Sequence, residues 1–428
     1  VKDFPVRIFS PSGVLWKHAD FLRLWAAQTI SSFGARIARE GLPLAAVLST
    51  RASIMQIGIL VALATAPSVI VGLFAGGFVD RRDKRGIMIA SDLVRAAVLA
   101  TVPVAALFHL LSMTQLYATA FVAGGAGVLF DIADHAYLPS LIGKSVLIEG
   151  NTKLSVTESL AEIGGPALAG ILVQLLTAPF AIAVNAVTYL ASAAFLFAIR
   201  KREEVREAAA GGRGWWSGIR EGIATVMANE FVRPLFLMAV AGAFFGAFFS
   251  TLYVVYAIRV LGLTPALLGI TIAVGGVASL IGTGLASTAV RRLGTGRAIL
   301  WTNLIAALSA AFIPLAAGPL ALRVACLMAA QFGGDAFGTA AIIPAVSARQ
   351  GLLPRPVLGR AAAAFQAAPG AVRVLGALAG GFLATALGSR STLWFVVLGN
   401  VAVVLWGFTT PLAALREPAA GAEMPPGP

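Results

Sequence analysis

The residues of this 428-residue sequence best placed to do chemistry are charged side chains set inside long apolar runs. They are Arg36, Arg39, Glu40, Asp92, Arg95, Asp131, Asp134, Glu158, Glu162, Arg323, Asp335 and Arg373. A charge at the centre of a bilayer costs about 2.5–3.5 kcal/mol on insertion scales, so each must face water, a partner or a ligand. Several share a helix face: Arg36 with Glu40 and Glu158 with Glu162 at four-residue spacing, and Asp131 with Asp134 at three. Two chemistries are open to Glu40, Glu158, Glu162 and Asp335. One is reversible proton binding, which low-dielectric surroundings favour for a carboxylate; the other is a static ion pair that holds helices together. Arg36, Arg39 and Glu40 would block insertion of their span without a wet cavity or opposing charges, for which Glu158 and Glu162 are candidates. Asp335 and Arg373 are placed at similar depth and can pair. Asp131 and Asp134 are expected near the basic loop Arg81–Arg85 and Arg95, in a gating role, and Asp92 shares that ambiguity. His135 reads as a packing residue.

Composition names the solvent. Hydrophobic residues make up 58% of the chain and charged residues 12%, about half the usual charged share of a soluble domain. That excludes a soluble enzyme, a disordered chain and a disulfide scaffold. The one cysteine forms no intrachain disulfide, and no Cys/His cluster has metal-ligand spacing. Apolar runs long enough to span about 30 Å of hydrocarbon lie at about 21–50, 53–79, 86–110, 113–139, 150–176, 179–199, 232–258, 264–289, 297–317, 319–348, 358–386 and 391–413. Their helical lengths exclude an outer-membrane barrel, and residues 1–20 show no cleavable signal pattern.

The net charge of +13 is a topology signal rather than a nucleic-acid footprint. With alternate loops assigned to opposite sides, 24 of the 32 Lys and Arg residues fall on one side and three on the other. The positive-inside rule then places both termini in the cytoplasm of a multi-pass plasma-membrane protein.

A repeat of 210 residues runs through the chain. Arg81-Arg82 falls on Arg291-Arg292, Phe21-Leu22-Arg23 on Phe231-Val232-Arg233, and Pro166–Gly170 on Gly376–Gly380. Six spans lie between, so both halves insert with the same orientation, as parallel repeats. The expected organisation is a six-helix half at 1–199, a cytoplasmic linker at 200–230, a second half at 231–414 and a cytoplasmic tail at 415–428. Within the linker, Trp215, Ile219, Ile223 and Val226 recur at helical spacing opposite Arg220 and Glu221, the pattern of an amphipathic helix in the membrane interface.

After the second span the chain reads Gly76-Gly77-Phe78-Val79-Asp80-Arg81-Arg82-Asp83-Lys84-Arg85. This resembles the loop signature of the major facilitator superfamily, G-x-x-x-D-R-x-G-R-[RK], with Gly76, Asp80, Arg81, Lys84 and Arg85 matching and Asp83 replacing a glycine. The resemblance implies a latch between halves. The fifth span, Ala161–Gly170, is similar to the antiporter motif G-x-x-x-G-P-x-x-G-G of the same superfamily through Gly165, Pro166 and Gly170, which implies export. The chain also resembles the enterobactin-exporter and macrolide-efflux branch, notably at Leu24-Trp25-Ala26-Ala27-Gln28, Gly41–Leu44 and Asn151–Gly170. That branch commonly has an aspartate where Ala35 follows Gly34 here.

The fold expected is therefore an all-α integral membrane protein of twelve transmembrane helices in two parallel six-helix repeats. No G-x-x-x-x-G-K-[ST] phosphate loop occurs, and no nucleophile, base or metal constellation marks an enzyme. The function expected is secondary transport by alternating access, as a proton-coupled exporter of a small amphipathic molecule such as a drug or siderophore. An importer or uniporter for a nutrient or lysolipid, and a sensor that does not transport, are the alternatives. No cofactor or metal is expected. The expected partners are the small-molecule substrate, protons and the bilayer, without nucleic acid, around a monomer.

Overall fold

In hydrocarbon every backbone N–H and C=O must be paired within its own segment, so apolar runs of this length fold as helices. The computed structural model describes residues 14–201 and 215–416, without the side chains at 73–77, 80, 144 and 215–218. Among them no strand occurs. The first half holds α1 (Ala19–Leu48), α2 (Ile54–Asp80), α3 (Lys84–Leu107), α4 (Met113–Ile142), α5 (Leu147–Leu176) and α6 (Ala178–Phe197). After α7 (Trp215–Ala228) come α8 (Val232–Val255), α9 (Pro265–Leu293), α10 (Thr295–Ser309), α11 (Phe312–Leu315), α12 (Leu320–Leu352), α13 (Leu358–Leu387) and α14 (Ser389–Phe408). Eleven spans among the described residues are long and apolar enough to cross a membrane, α10 and α11 counting as one. The twelfth is α1, 30 residues long, whose charges dilute its hydropathy.

Local chemistry sets the helix starts. Asp83, Ser112 and Thr264 accept hydrogen bonds from the backbone N–H three residues on and so cap α3, α4 and α9. Asp83, which departs from the family's glycine, is thus the residue that starts α3. Pro314, which has no N–H to give, sits in the short α11 beyond the break that ends α10 at Ser309. At its far end α8 widens into a π-turn, Tyr256–Val260, closed by Leu261 N–H to the Tyr256 carbonyl.

The chain divides into two units. One takes the described residues up to Ala52 and from Ala66 to Lys201; the other takes Ser53–Thr65 and the described residues from Trp215 to Arg416. In the first, α1 packs on α5 and α6, and α3 on α4 and α6. In the second, α9 packs on α12, α12 on α10, and α13 on α8. The start of α2 joins the second unit through small residues: a Cβ added at Gly58 would press on the Ala377 carbonyl, and one at Gly381 on the Gly58 backbone.

The helices of the repeat are offset by 211 residues in α5/α13 and α6/α14, one more than the sequence offset. One residue is about 100° of helix. The correction brings Gly165 onto Gly376, and both are close-approach glycines. A Cβ at Gly165 would strike the Arg36 side chain on α1, and one at Gly376 the Phe244 carbonyl on α8.

The linker helix α7 lays Ile219, Ile223 and Val226 against its own unit. Val226 packs with Phe236, Ala361 and Ala364, Gly222 abuts the Arg360 carbonyl, and Glu221 pairs with Arg360 at 2.6 Å. Its apolar face is therefore covered by α8 and α13 rather than given to lipid. The side chains of Trp215 and Trp216 lie outside the described residues.

Candidate functional site

Arg36 is the centre of the charged site in the first unit. It lies halfway along α1, and Gly165 on α5 leaves the space its aliphatic stem occupies. The guanidinium then meets Glu162, one turn before Gly165, in a fork: Nη1 to Oε1 at 2.9 Å and Nη2 to Oε2 at 2.7 Å. Two parallel charge-assisted bonds are the strongest arrangement open to this pair. Of the two candidates raised for span one, Glu162 is the partner found. Arg36 is mostly covered, whereas the Glu162 side chain is 51% exposed. Glu40 sits one turn beyond Arg36, with Arg39, Arg36 and Glu162 as its charged neighbours. Pro166 and Gly170 are buried in α5.

A second group lies nearer the end that carries the basic loop. Gln28 on α1 donates to Asp134 on α4, and Glu158 on α5 is a charged neighbour of both Asp131 and Asp134. Trp25 donates from Nε1 to Thr157 Oγ1 at 3.0 Å, which ties α1 to α5 beside them. Asp131 and Asp134 were expected near the Arg81–Arg85 loop and Arg95, and Arg95 is indeed a charged neighbour of Asp131. Arg95 and His135 are the cations around Asp131, and Asp134 is taken by Gln28, because α4 turns this face toward α1 and α5. The two aspartates are thus grouped with Glu158, not with the loop.

Arg85 donates to the Leu196 and Phe197 carbonyls at 2.9 and 2.6 Å and so caps the end of α6. Arg81 and Arg82 are exposed, and Arg82 stacks on Phe78 at 4.7 Å. Lys84 opens α3. The side chain of Asp80, and Gly76 beyond its helical backbone, lie outside the described residues.

Sequence reasoning noted Asp92 and Arg95 but missed what they form. Asp92 is fully buried and Arg95 nearly so, and they make an ion pair within α3. The guanidinium is clasped between Phe130 of α4 and Tyr189 of α6, 4.5 and 4.2 Å from the ring centroids. The three-residue spacing was the available signal; the rings come from distant parts of the chain.

In the second unit, Asp335 and Arg373 are not brought together. Asp335 on α12 packs against Gly275 of α9, where a Cβ would collide with its carboxylate, while Arg373 is exposed on α13. The reason is the packing order, since α12 pairs with α9 and α13 with α8. Here α8 carries rings where α1 carries charge: Phe244, Phe245 and Phe248 contact one another edge to face or tilted, and Phe395 of α14 joins them. Among the described residues no group of His, Cys, Asp or Glu is arranged to hold a metal ion.

Twelve apolar spans in two repeats define a multi-pass membrane protein. The chain belongs to the major facilitator superfamily, whose family model matches residues 24–351. Among curated proteins it is 28% identical over 180 residues to the uncharacterised transporter YfiS of Bacillus subtilis (strain 168), covering 41% of each chain. It is 30% identical over 187 residues to the proposed bacilysin exporter BacE of Bacillus subtilis, covering 41% of this chain and 44% of that one. The chain thus spans less than half the length of these relatives. Among solved structures, a bacterial homologue of the iron transporter ferroportin in an inward-facing state superposes with a TM-score of 0.69 at 16% identity, over 94% of this chain and 98% of that one. The nucleoside transporter NupG gives 0.69 at 11% identity over 91% and 98%. At these identities the likeness is one of fold.

Proposed function

We propose that the protein is a proton-coupled exporter of a small amphipathic molecule, working by alternating access in the plasma membrane with both termini cytoplasmic. The observation that carries this reading is the Arg36–Glu162 fork. A carboxylate bonded to a guanidinium yet half open is a group whose protonation has a structural consequence. A proton on Glu162 removes the charge that holds Arg36, and Arg36 then turns to Glu40, one turn along its own helix. Breaking and remaking the α1–α5 tie in this way links proton occupancy to the packing of the first unit. Glu158, Asp131 and Asp134 supply further carboxylates between Glu162 and the loop end, as stations for the proton. The Phe244–Phe248 cluster and exposed Arg373 of the second unit offer apolar and charged surface to an amphipathic substrate.

Export is supported by the antiporter-like Gly165, Pro166 and Gly170 and by the name given to BacE. Residues 200–230 act as the tether between halves, Gly76, Asp80, Arg81, Lys84 and Arg85 as the latch, and a monomer suffices. The test is the direction of accumulation. Energised everted vesicles holding the protein should concentrate at least one probe from a panel of an amphipathic cationic dye, a macrolide and a siderophore. Concentration of the probes by right-side-out vesicles instead would overturn export.

A further inference from the structure

A cavity of about 740 Å³ opens in the first unit between α2, α3 and α4. None of its described lining residues belongs to α1 or α5, so it is separate from the Arg36–Glu162 site. One wall is a stripe of α3, with Ile87, Ala90 and Val94 at helical spacing; the facing wall is Val122, Ala126 and Leu129 of α4. From Ile87 to Val94 the slot runs about 10 Å at 1.5 Å per residue. Val94 and Val122 are 44% and 40% exposed, so the slot opens sideways on the apolar flank of the helices.

Its mouth has the opposite chemistry. Arg81 and Arg82 stand there, both exposed. The Arg82 guanidinium is held over the Phe78 ring instead of ranging freely. Among the described lining residues the one acid is Asp83, which is engaged by the Gly86 N–H at 3.0 Å as the cap of α3. Two guanidiniums over an apolar slot complement a molecule with an anionic head and a hydrocarbon tail. Guanidinium planes match phosphate oxygens, and the bilayer around the helices supplies phosphodiesters attached to acyl chains.

We infer that this cavity is a binding site for an anionic phospholipid, with its phosphate between Arg81 and Arg82 and one acyl chain along α3 and α4. An occupied site joins the end of α2 to α3 and α4 through the lipid, and so loads the same loop that carries the superfamily signature.

Native mass spectrometry of the full chain released from detergent tests this with palmitoyl-oleoyl phosphatidylglycerol against the phosphatidylcholine of the same tails. Phosphatidylglycerol should be retained roughly thirtyfold better, the order expected for two nearby cationic side chains. The preference should vanish in R81A/R82A. Ala90→Trp, which fills the slot from an exposed position on α3, should abolish the adduct with the arginines intact. Excess inorganic phosphate should leave the adduct in place, because the acyl chain contributes to its binding. Equal retention of the two lipids, an adduct that survives Ala90→Trp, or displacement by inorganic phosphate would each overturn the site.

Discussion

Two ion pairs in the first unit show how surroundings decide what an arginine does. Arg95 is sealed with Asp92 inside the helix bundle, between two rings. Arg36 meets a carboxylate that is half in the open. Removing one partner of a buried pair leaves an uncompensated charge and costs about 3–5 kcal/mol, whereas replacing both by apolar residues of similar volume is often neutral. Asp92→Ala should therefore lower the melting temperature of the detergent-solubilised protein strongly, and Asp92→Leu with Arg95→Met should recover most of it. A melting point for Asp92→Ala equal to wild type would show that Arg95 is not held by Asp92. Both pairs were half legible in the sequence. The charges stood out against the apolar runs, and Glu162 was among the partners named for Arg36. What stayed hidden was depth and direction: nothing near Arg95 in sequence announces Phe130 or Tyr189, and the depth match of Asp335 and Arg373 could not reveal that α12 and α13 pack on different neighbours.

At the scale of elements, the loop end of the first unit is drawn together by one carboxylate. Asp20, in the first turn of α1, accepts from Arg23 at 2.6 Å and from the backbone N–H groups of Arg200 and Lys201 at 3.1 Å each. Lys201 in turn donates to the Ser140 and Leu141 carbonyls near the end of α4. Burial pushes the Asp20 carboxyl up, but these donors outweigh it and hold the group below its usual value. A carboxylate depressed in the folded state adds stability that is present above its unfolded pKa, near 3.9, and lost as pH falls through the folded value. Asp20→Asn should thus melt below wild type at neutral pH, and the two curves should converge only below about pH 4. A constant gap down to pH 3 would contradict the assignment. The elements themselves were readable from hydrophobic length, and eleven of the twelve spans stand out by length and hydropathy alone. The docking of α7 was not readable. An amphipathic stripe fits a lipid interface and a protein groove equally well, and the contacts of Val226, Gly222 and Glu221 with α8 and α13 distinguish them.

For the whole molecule, the duplication explains both what the halves share and where they part. The glycine that admits Arg36 in one half admits the Phe244 backbone in the other, and at the 211-residue offset Glu162 corresponds to Arg373. One copy has an ion pair in this contact; in the other the glycine meets the backbone of a helix whose rings cluster with Phe395 of α14. On the proposed reading the first copy carries the proton and the second contributes apolar surface to the substrate. The measurement that meets this claim most directly is probe-driven proton movement in everted vesicles, followed by a pH-sensitive dye, for wild type and Glu162→Gln at matched expression. The account predicts that a transported amphipathic probe collapses part of the pH gradient in wild type and fails to do so in Glu162→Gln. Equal proton movement in the two proteins would contradict it.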